Sequence, residues 1–219
     1  MTSQPLMLYS YWRSSASYRV RMALQIKGLE HCIHPVHLVD DGGQQHQPEY
    51  LALNPQGLVP CLVHGQVVLT QSLAIIEYLD ECFPDPPLLP DQPADRARAR
   101  MIAQAIACDV HPLNNLRVLQ YLDAQAGLSP AARSDWYRHW TETGLRAVED
   151  MLAKIPGDPT FCLGERPGLA DCCLLPQVYN ARRFDCSLTG CDRILAICAR
   201  LEADQRIRRA APENQPDAG

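Results

Sequence analysis

Apolar and polar positions recur along this chain in two rhythms, and the change from one to the other divides it. Leu6-Met7-Leu8-Tyr9 is a short apolar run suited to a buried strand. From Ser17 to Lys27 the positions Val20, Ala23, Leu24 and Lys27 fall on one side of a helix, and Gly28 follows where a helix ends on a left-handed residue. His31 to Leu38 reads as extended, with Pro35 confining it to a sheet edge. Residues 59–63 and 66–70 flank His64-Gly65, a two-residue hairpin turn whose glycine supplies a positive φ. Ser72 is expected to cap a helix bearing Ile75, Ile76, Leu79 and Phe83, and a short helical segment lies around Pro48 to Leu53. The order β-α-β-α-β-β-α predicts an α/β thioredoxin-like N-terminal domain over residues 1–84.

Residues 85–93 break the pattern. Five prolines stand between Pro84 and Pro93, too many for a helix or a central strand, so this stretch reads as a stiff Pro-rich linker. Beyond it the period is helical. Asp95 to Leu122 carries Ile102, Ile106 and Leu113, with Pro112 expected to kink or break the run. Arg133 to Ile155 carries Trp136, Trp140, Val148, Leu152 and Ile155. Gly168-Leu169-Ala170-Asp171 opens a helix to about Arg183, and a last helix is expected from Asp192 to Arg209. Residues 94–219 thus predict an all-α helical-bundle C-terminal domain.

Composition narrows the class. The 219 residues are 47% hydrophobic and 21% charged, ordinary globular usage that excludes wholesale disorder. The net charge of −5 gives nucleic acid no support, and the Arg96/Arg98/Arg100 and Arg206/Arg208/Arg209 clusters read as solvated helix faces. No apolar run is long enough for a membrane span, and Met-Thr-Ser-Gln-Pro is not a secretory signal, so a soluble, cytoplasmic protein is expected. The ten cysteines include no Cys-x-x-Cys pair, and several lie in apolar runs such as Ile106-Ala107-Cys108 and Ile197-Cys198-Ala199. They read as reduced core thiols. His31, His34 and His37 have no cysteine pair at ligand spacing and read as edge-strand positions, so no metal is expected.

Three segments carry chemistry. Arg13-Ser14-Ser15 lies where the first strand hands over to the first helix, where backbone N–H groups and the helix dipole favour an anion. A serine hydroxyl there can donate to a thiolate, although on its own such a serine is simply an N-cap. Val59-Pro60 precedes the hairpin, and taken alone it is an ordinary X-Pro bond. Gln71-Ser72 opens the following helix, where an amide, a hydroxyl and free N–H groups can hold an α-carboxylate. In this order and spacing the three converge on one edge of a thioredoxin-like sheet.

At this point the chain resembles a known family, the cytosolic glutathione transferases, and within them the zeta class, typified by maleylacetoacetate isomerases. The resemblance rests on Tyr9 to Ser15, Tyr18-Arg19-Val20-Arg21, Gly43-Gln44-Gln45, Ala52-Leu53-Asn54-Pro55, Val59-Pro60 and Gln71 to Leu79. It continues with His111 to Leu119 and Ala181-Arg182-Arg183-Phe184, so it covers nearly the whole chain. It implies glutathione as cofactor, its γ-glutamyl carboxylate at Gln71 and Ser72, and its cysteinyl backbone paired with Val59 ahead of a cis Pro60. Gln45 would touch the glycyl end, and Ser14 would stabilise the thiolate beside Ser15. His111 and Asn115 join the cofactor-binding set.

Two departures from the family matter. Ala16 stands where animal members have cysteine, which moves the weight onto Ser14. Gly168 replaces the usual Ser or Thr ahead of Asp171, at a cost of only a few tenths of a kcal/mol. The implied reaction is thiolate addition to a cis double bond, rotation and elimination. Arg13, Asn114, Arg117 and Arg183 are candidates to bind a dicarboxylic keto acid, because guanidinium pairs bidentately with carboxylate. Arg117 is expected to share a helical stripe with Asn114 and Tyr121.

The resemblance also implies a homodimer. A maleylpyruvate isomerase, a glutathione-conjugating or dehalogenating transferase, and a ligand-binding scaffold are the alternatives. A thiol–disulfide oxidoreductase fits worst, since Ala16 removes the thiol it would need.

Overall fold

In the computed structural model, which describes residues 4–218, the first 88 residues build a four-stranded sheet flanked by helices. Leu6–Ser10 (β1) leads through Ser15–Ile26 (α1) to His31–Pro35 (β2), then Pro48–Leu51 (α2), Cys61–His64 (β3), Val67–Thr70 (β4) and Ser72–Cys82 (α3). The strand order is β2-β1-β3-β4, with β1 and β2 parallel and the remaining pairs antiparallel. A parallel pair needs a crossover, and α1 provides it. Leu8 sits at the centre of the register, opposite Ile33 on one side and Leu62 on the other. It is fully buried, as are Val20, Leu24, Ile75, Ile76 and Leu79. The thioredoxin-like reading of the first domain holds element by element.

Lys27 closes the C-terminal end of α1. Its buried ammonium pairs with Asp80 at 2.8 Å and donates to the carbonyls of Phe83 and Pro86, while Asp80 also accepts the Leu88 N–H. A lysine at the C-cap of α1 thus holds the start of the proline-rich stretch, and its charge is compensated on several sides.

The chain's contacts form two compact units, residues 1–88 with 202–219, and residues 89–201. The C-terminal stretch expected within the helical domain therefore packs with the first unit. The reason is local. Asp204 accepts the Arg206 N–H at 2.8 Å, which ends one helix and starts another. The single helix expected to Arg209 becomes α8, Asp192–Ala203, and α9, Gln205–Ala210. On α9, Ile207 and Ala210 are buried, and this helix packs on α1.

The second unit holds Pro93–Gln104 (α4), Leu116–Ala124 (α5), Pro130–Ala153 (α6), Leu169–Arg183 (α7) and most of α8. Between α4 and α5 the backbone widens into a π turn at Ala105–Val110 and tightens into a 3-10 turn at His111–Asn114, so the run breaks ahead of Pro112 as well as at it. Glu149 of α6 accepts the Arg193 and Ile194 N–H groups and caps α8 from outside. Gly144 of α6 leaves no room for a side chain, since a Cβ there would overlap a methyl of Val110. Gly144→Ala is expected to cost about 1–3 kcal/mol through overpacking, less the roughly 1 kcal/mol that alanine's helix propensity returns. A lowered urea midpoint at unchanged m-value would report it.

Seven cysteines are buried and three, Cys32, Cys82 and Cys108, are exposed. Cys198 fits the core reading. Cys108 does not, because the π turn rotates it outward while Ile106 takes the core position. Among the described residues no helix is long and apolar enough to cross a membrane.

Candidate active site

Ser14 is the N-cap of α1, with extended backbone and a half-buried side chain. Its hydroxyl oxygen accepts the Ser17 N–H at 3.2 Å. This is the ordinary capping role, and it also orients the group. A lone pair faces the helix, so the hydroxyl hydrogen is left to donate away from it, beside the positive end of the dipole. Ser15 is buried as the first residue of the helix, and Ala16 is half-buried.

Beneath this edge lies a small apolar cluster of Tyr11, Val36, Tyr50, Val59 and Cys61, with Tyr9, Trp12, Leu38 and Leu53 packed against it. It positions Val59. The Tyr50 hydroxyl and the Asn54 amide both donate to the Leu58 carbonyl at 2.6 Å, and the Val59–Pro60 peptide that follows is cis. Burial pushes the Tyr50 phenol well above its ordinary value and the Cys61 thiol up to about 11. Cys61 is therefore a protonated filler at neutral pH, and Ala16 places no thiol at the start of α1.

Gln71 adopts φ 70°, a left-handed conformation that costs a non-glycine residue about 1–3 kcal/mol when surrounding structure imposes it. It takes the N-cap position of α3, one residue earlier than expected, and its Nε2 donates to Gln56 Oε1 at 2.8 Å. Ser72 becomes the first residue of α3. Its hydroxyl, in a side chain only 6% exposed, accepts from Arg19 Nη1 at 3.2 Å. A buried guanidinium behind a helix N-terminus adds to the dipole's attraction for an anion. Arg19 belongs to the Tyr18-Arg19-Val20-Arg21 stretch of the resemblance, which assigns it no role of its own. The available signal was charge inside α1, a helix buried from Ser17 to Leu24 with no wet face for an arginine.

Gln45 is 8% exposed. Its Nε2 donates to the Leu38 carbonyl at 3.3 Å, and its Oε1 is buried without a hydrogen-bond partner among the described residues. Gly43, at φ +95°, makes room for that amide, since a Cβ there would stand 2.5 Å from Nε2. An orphaned buried amide oxygen, a capping serine with a hydrogen to donate and two helix N-termini on one unit fit a peptide-like ligand that carries carboxylates. These are the positions assigned to glutathione.

The second unit distributes its candidates differently. Asn114 is buried, its amide donating to Thr141 at 2.8 Å and its Oδ1 without a partner. Asn115 is the N-cap of α5, its Oδ1 accepting the Arg117 N–H. That cap interrupts the helix between Asn114 and Arg117, so the expected common stripe with Tyr121 does not form. Asn114 turns inward while Arg117 and Tyr121 are exposed on α5. Arg117 makes no side-chain hydrogen bond or ion pair among the described residues, and His111 lies half-buried in the 3-10 turn. Arg183 is exposed, with its guanidinium 4.9 Å from the Phe184 ring, and Phe184 stacks on Tyr137 at 3.8 Å. In the first unit, Arg13 is exposed and rests over the Trp12 ring at 4.1 Å. Two of the three histidines lie on the edge strand β2, where His31 Nδ1 donates to the Leu29 carbonyl and His34 packs on Tyr9; His37 falls beyond the strand and accepts the Asp40 N–H.

Known proteins share this arrangement. Residues 13–82 match the family described as Glutathione S-transferase, N-terminal domain. A probable maleylacetoacetate isomerase of Vibrio cholerae serotype O1 is 50% identical, over 97% of this chain and 98% of its own. A solved holo structure of a maleylpyruvate isomerase, a bacterial zeta-class glutathione transferase, superposes with TM-score 0.94 at 43% identity, covering 97% of this chain and 100% of that one. A maleylacetoacetate isomerase from Methylobacterium extorquens AM1, solved with malonate and glutathione bound, gives TM-score 0.92 at 39% identity over 97% and 99% of the two chains. The chain belongs to the zeta-class glutathione transferases, in the group of maleylacetoacetate and maleylpyruvate isomerases.

Proposed function

We propose that this chain is a glutathione-dependent cis-trans isomerase converting maleylacetoacetate to fumarylacetoacetate in aromatic-compound catabolism. The observation that carries the reading is Ser14, a capping serine whose oxygen is committed to the helix and whose hydrogen is left to donate, on a unit where Ala16 and the protonated Cys61 offer no thiolate. The 50% identity to the Vibrio relative supports the same reading.

Glutathione, when bound, supplies a thiolate that adds to the cis double bond and leaves once that bond has turned. The chain's own part is binding and charge stabilisation. Gln71 and Ser72, backed by Arg19, hold the γ-glutamyl carboxylate; Val59 pairs with the cysteinyl backbone and Gln45 meets the glycyl end, while the resemblance also assigns His111 and Asn115 to the cofactor. Ser14, beside Ser15, holds the sulfur in its anionic form by hydrogen bonding. Arg13, Arg117, Arg183 and Asn114 are assigned to the diacid. The Arg117 guanidinium has no hydrogen-bond or ion-pair partner among the described residues, which leaves it to pair with a carboxylate. The reading includes a cytoplasmic location and a homodimer.

Maleylpyruvate isomerisation is the second reading, favoured by the superposition on the holo maleylpyruvate isomerase. Both diacids should be assayed in parallel by ultraviolet absorbance, with and without glutathione. Glutathione-dependent turnover with the higher kcat/KM on maleylacetoacetate is expected. A higher value on maleylpyruvate would reassign the substrate, and no turnover of either by a folded, glutathione-binding protein would overturn isomerisation.

A further inference from the structure

The turn that carries Ser14 is held from the far end of the chain. Ser14 N–H donates to the Tyr11 carbonyl at 3.0 Å, closing a turn over residues 11–14. The same carbonyl accepts from Arg21 Nη1 at 3.3 Å, and the Trp12 carbonyl accepts from Arg21 Nη2 at 2.9 Å. Arg21 is buried in α1 at 1% exposure. It also donates to Ser10 Oγ and, through Nε, to the Ala210 carbonyl at the end of α9. The Trp12 N–H donates to Asp217 Oδ2 at 2.9 Å. The backbone N–H and C=O of Trp12 are thus both bound by charged side chains, of opposite sign.

Asp217 is put there by the folding of the tail. Gln215 donates to the carbonyls of Arg209 and Ala211, and Asn214 to that of Arg208, so the segment after α9 turns back along the same unit. A second observation separates this contact from mere packing. Asp217 Oδ1 is buried without a hydrogen-bond partner among the described residues, and a half-satisfied carboxylate is a poor way to gain stability.

We propose that Arg21 and Asp217 are positioning residues that clamp the 11–14 turn and so aim the Ser14 hydroxyl at the thiolate. The inference rests on the Ser14 assignment above. Arg21 lies in the core and its loss would compromise folding, so Asp217, on the half-buried tail, is the residue to change.

The full-length Asp217→Ala, Asp217→Asn and Ser14→Ala proteins should be compared in two measurements. Without glutathione, amide hydrogen exchange is expected to accelerate at residues 11–14 in Asp217→Ala. With glutathione bound, the thiol titration followed by thiolate absorbance should shift to higher pH, and kcat should fall about tenfold while KM for glutathione stays within about twofold, as for a misaimed group whose ligand still binds. In Asp217→Asn the carboxamide oxygen can still accept the Trp12 N–H, so both measurements should return toward the parent. An unshifted thiol titration in Asp217→Ala, with a shift in Ser14→Ala, would overturn the clamp and leave Ser14 standing. No shift in Ser14→Ala would remove the Ser14 assignment and this inference together, whatever the exchange rates show.

Discussion

Replacing Ser14 by alanine is expected to lower kcat by about a hundredfold to a thousandfold, the range seen when one donor to a developing anion is removed. The loss should lie in chemistry rather than in binding. The γ-glutamyl and glycyl grips assigned to Gln71, Ser72 and Gln45 do not involve Ser14, so glutathione affinity should change little. The fold should survive as well. Losing the hydroxyl removes the bond from Ser17 N–H, at a cost of about 1 kcal/mol for an N-cap. Steady-state kinetics with a thermal melt on the same preparation separates the two effects. A kcat within a few-fold of the parent would mean that the helix terminus alone stabilises the thiolate.

Asp171→Ala should give the largest loss of stability, about 3–5 kcal/mol, or on the order of 10 °C in melting temperature. Asp171 is buried at the start of α7. It accepts the Gly168 N–H at 2.8 Å through one oxygen and the Cys162 N–H at 3.0 Å through the other. With glycine at position 168 the cap has no side-chain oxygen of its own, so Asp171 makes the remaining half of the capping arrangement. Alanine would orphan two N–H groups. Asparagine would satisfy one and set an amide hydrogen against the other, so Asp171→Asn should fall between the two.

Burial raises the Asp171 carboxyl despite these donors, so the folded chain holds its proton more tightly than the unfolded chain does. The cost of ionising it grows as pH rises from the unfolded value through the raised folded one and is constant beyond. Calorimetry or denaturant melts of the variants at one common pH measure the difference. A melting temperature for Asp171→Ala equal to the parent's would show that the cap is dispensable.

Both predictions concern residues visible in the amino-acid pattern, and that is no accident. Strand and helix periods, the Gly65 turn, the proline-rich stretch and the helix-opening serines are signals written within a few residues of where they act. They were enough to place β1 to β4, α1, α3, α6 and α7 and to order them. The errors were local competitions that periodicity does not resolve. Asp204 capped a new helix inside an apolar period, Asn115 cut the stripe between Asn114 and Arg117, and the left-handed Gln71 moved the start of α3 by one residue.

The pattern of residues alone determined the two kinds of architecture and the segments from which the site is built. Tertiary structure decided what each polar group does there. It gave Arg19 to Ser72, left Gln45 Oε1 unpaired, turned Cys108 outward, and drew the Asp217 carboxylate to the Trp12 N–H across 205 positions of chain. A periodic signal reports which face of an element leaves water, a property of the segment itself. The partner of a buried charge depends on which distant backbone groups the packed chain leaves unsatisfied, and no stretch of sequence contains that before the chain has folded.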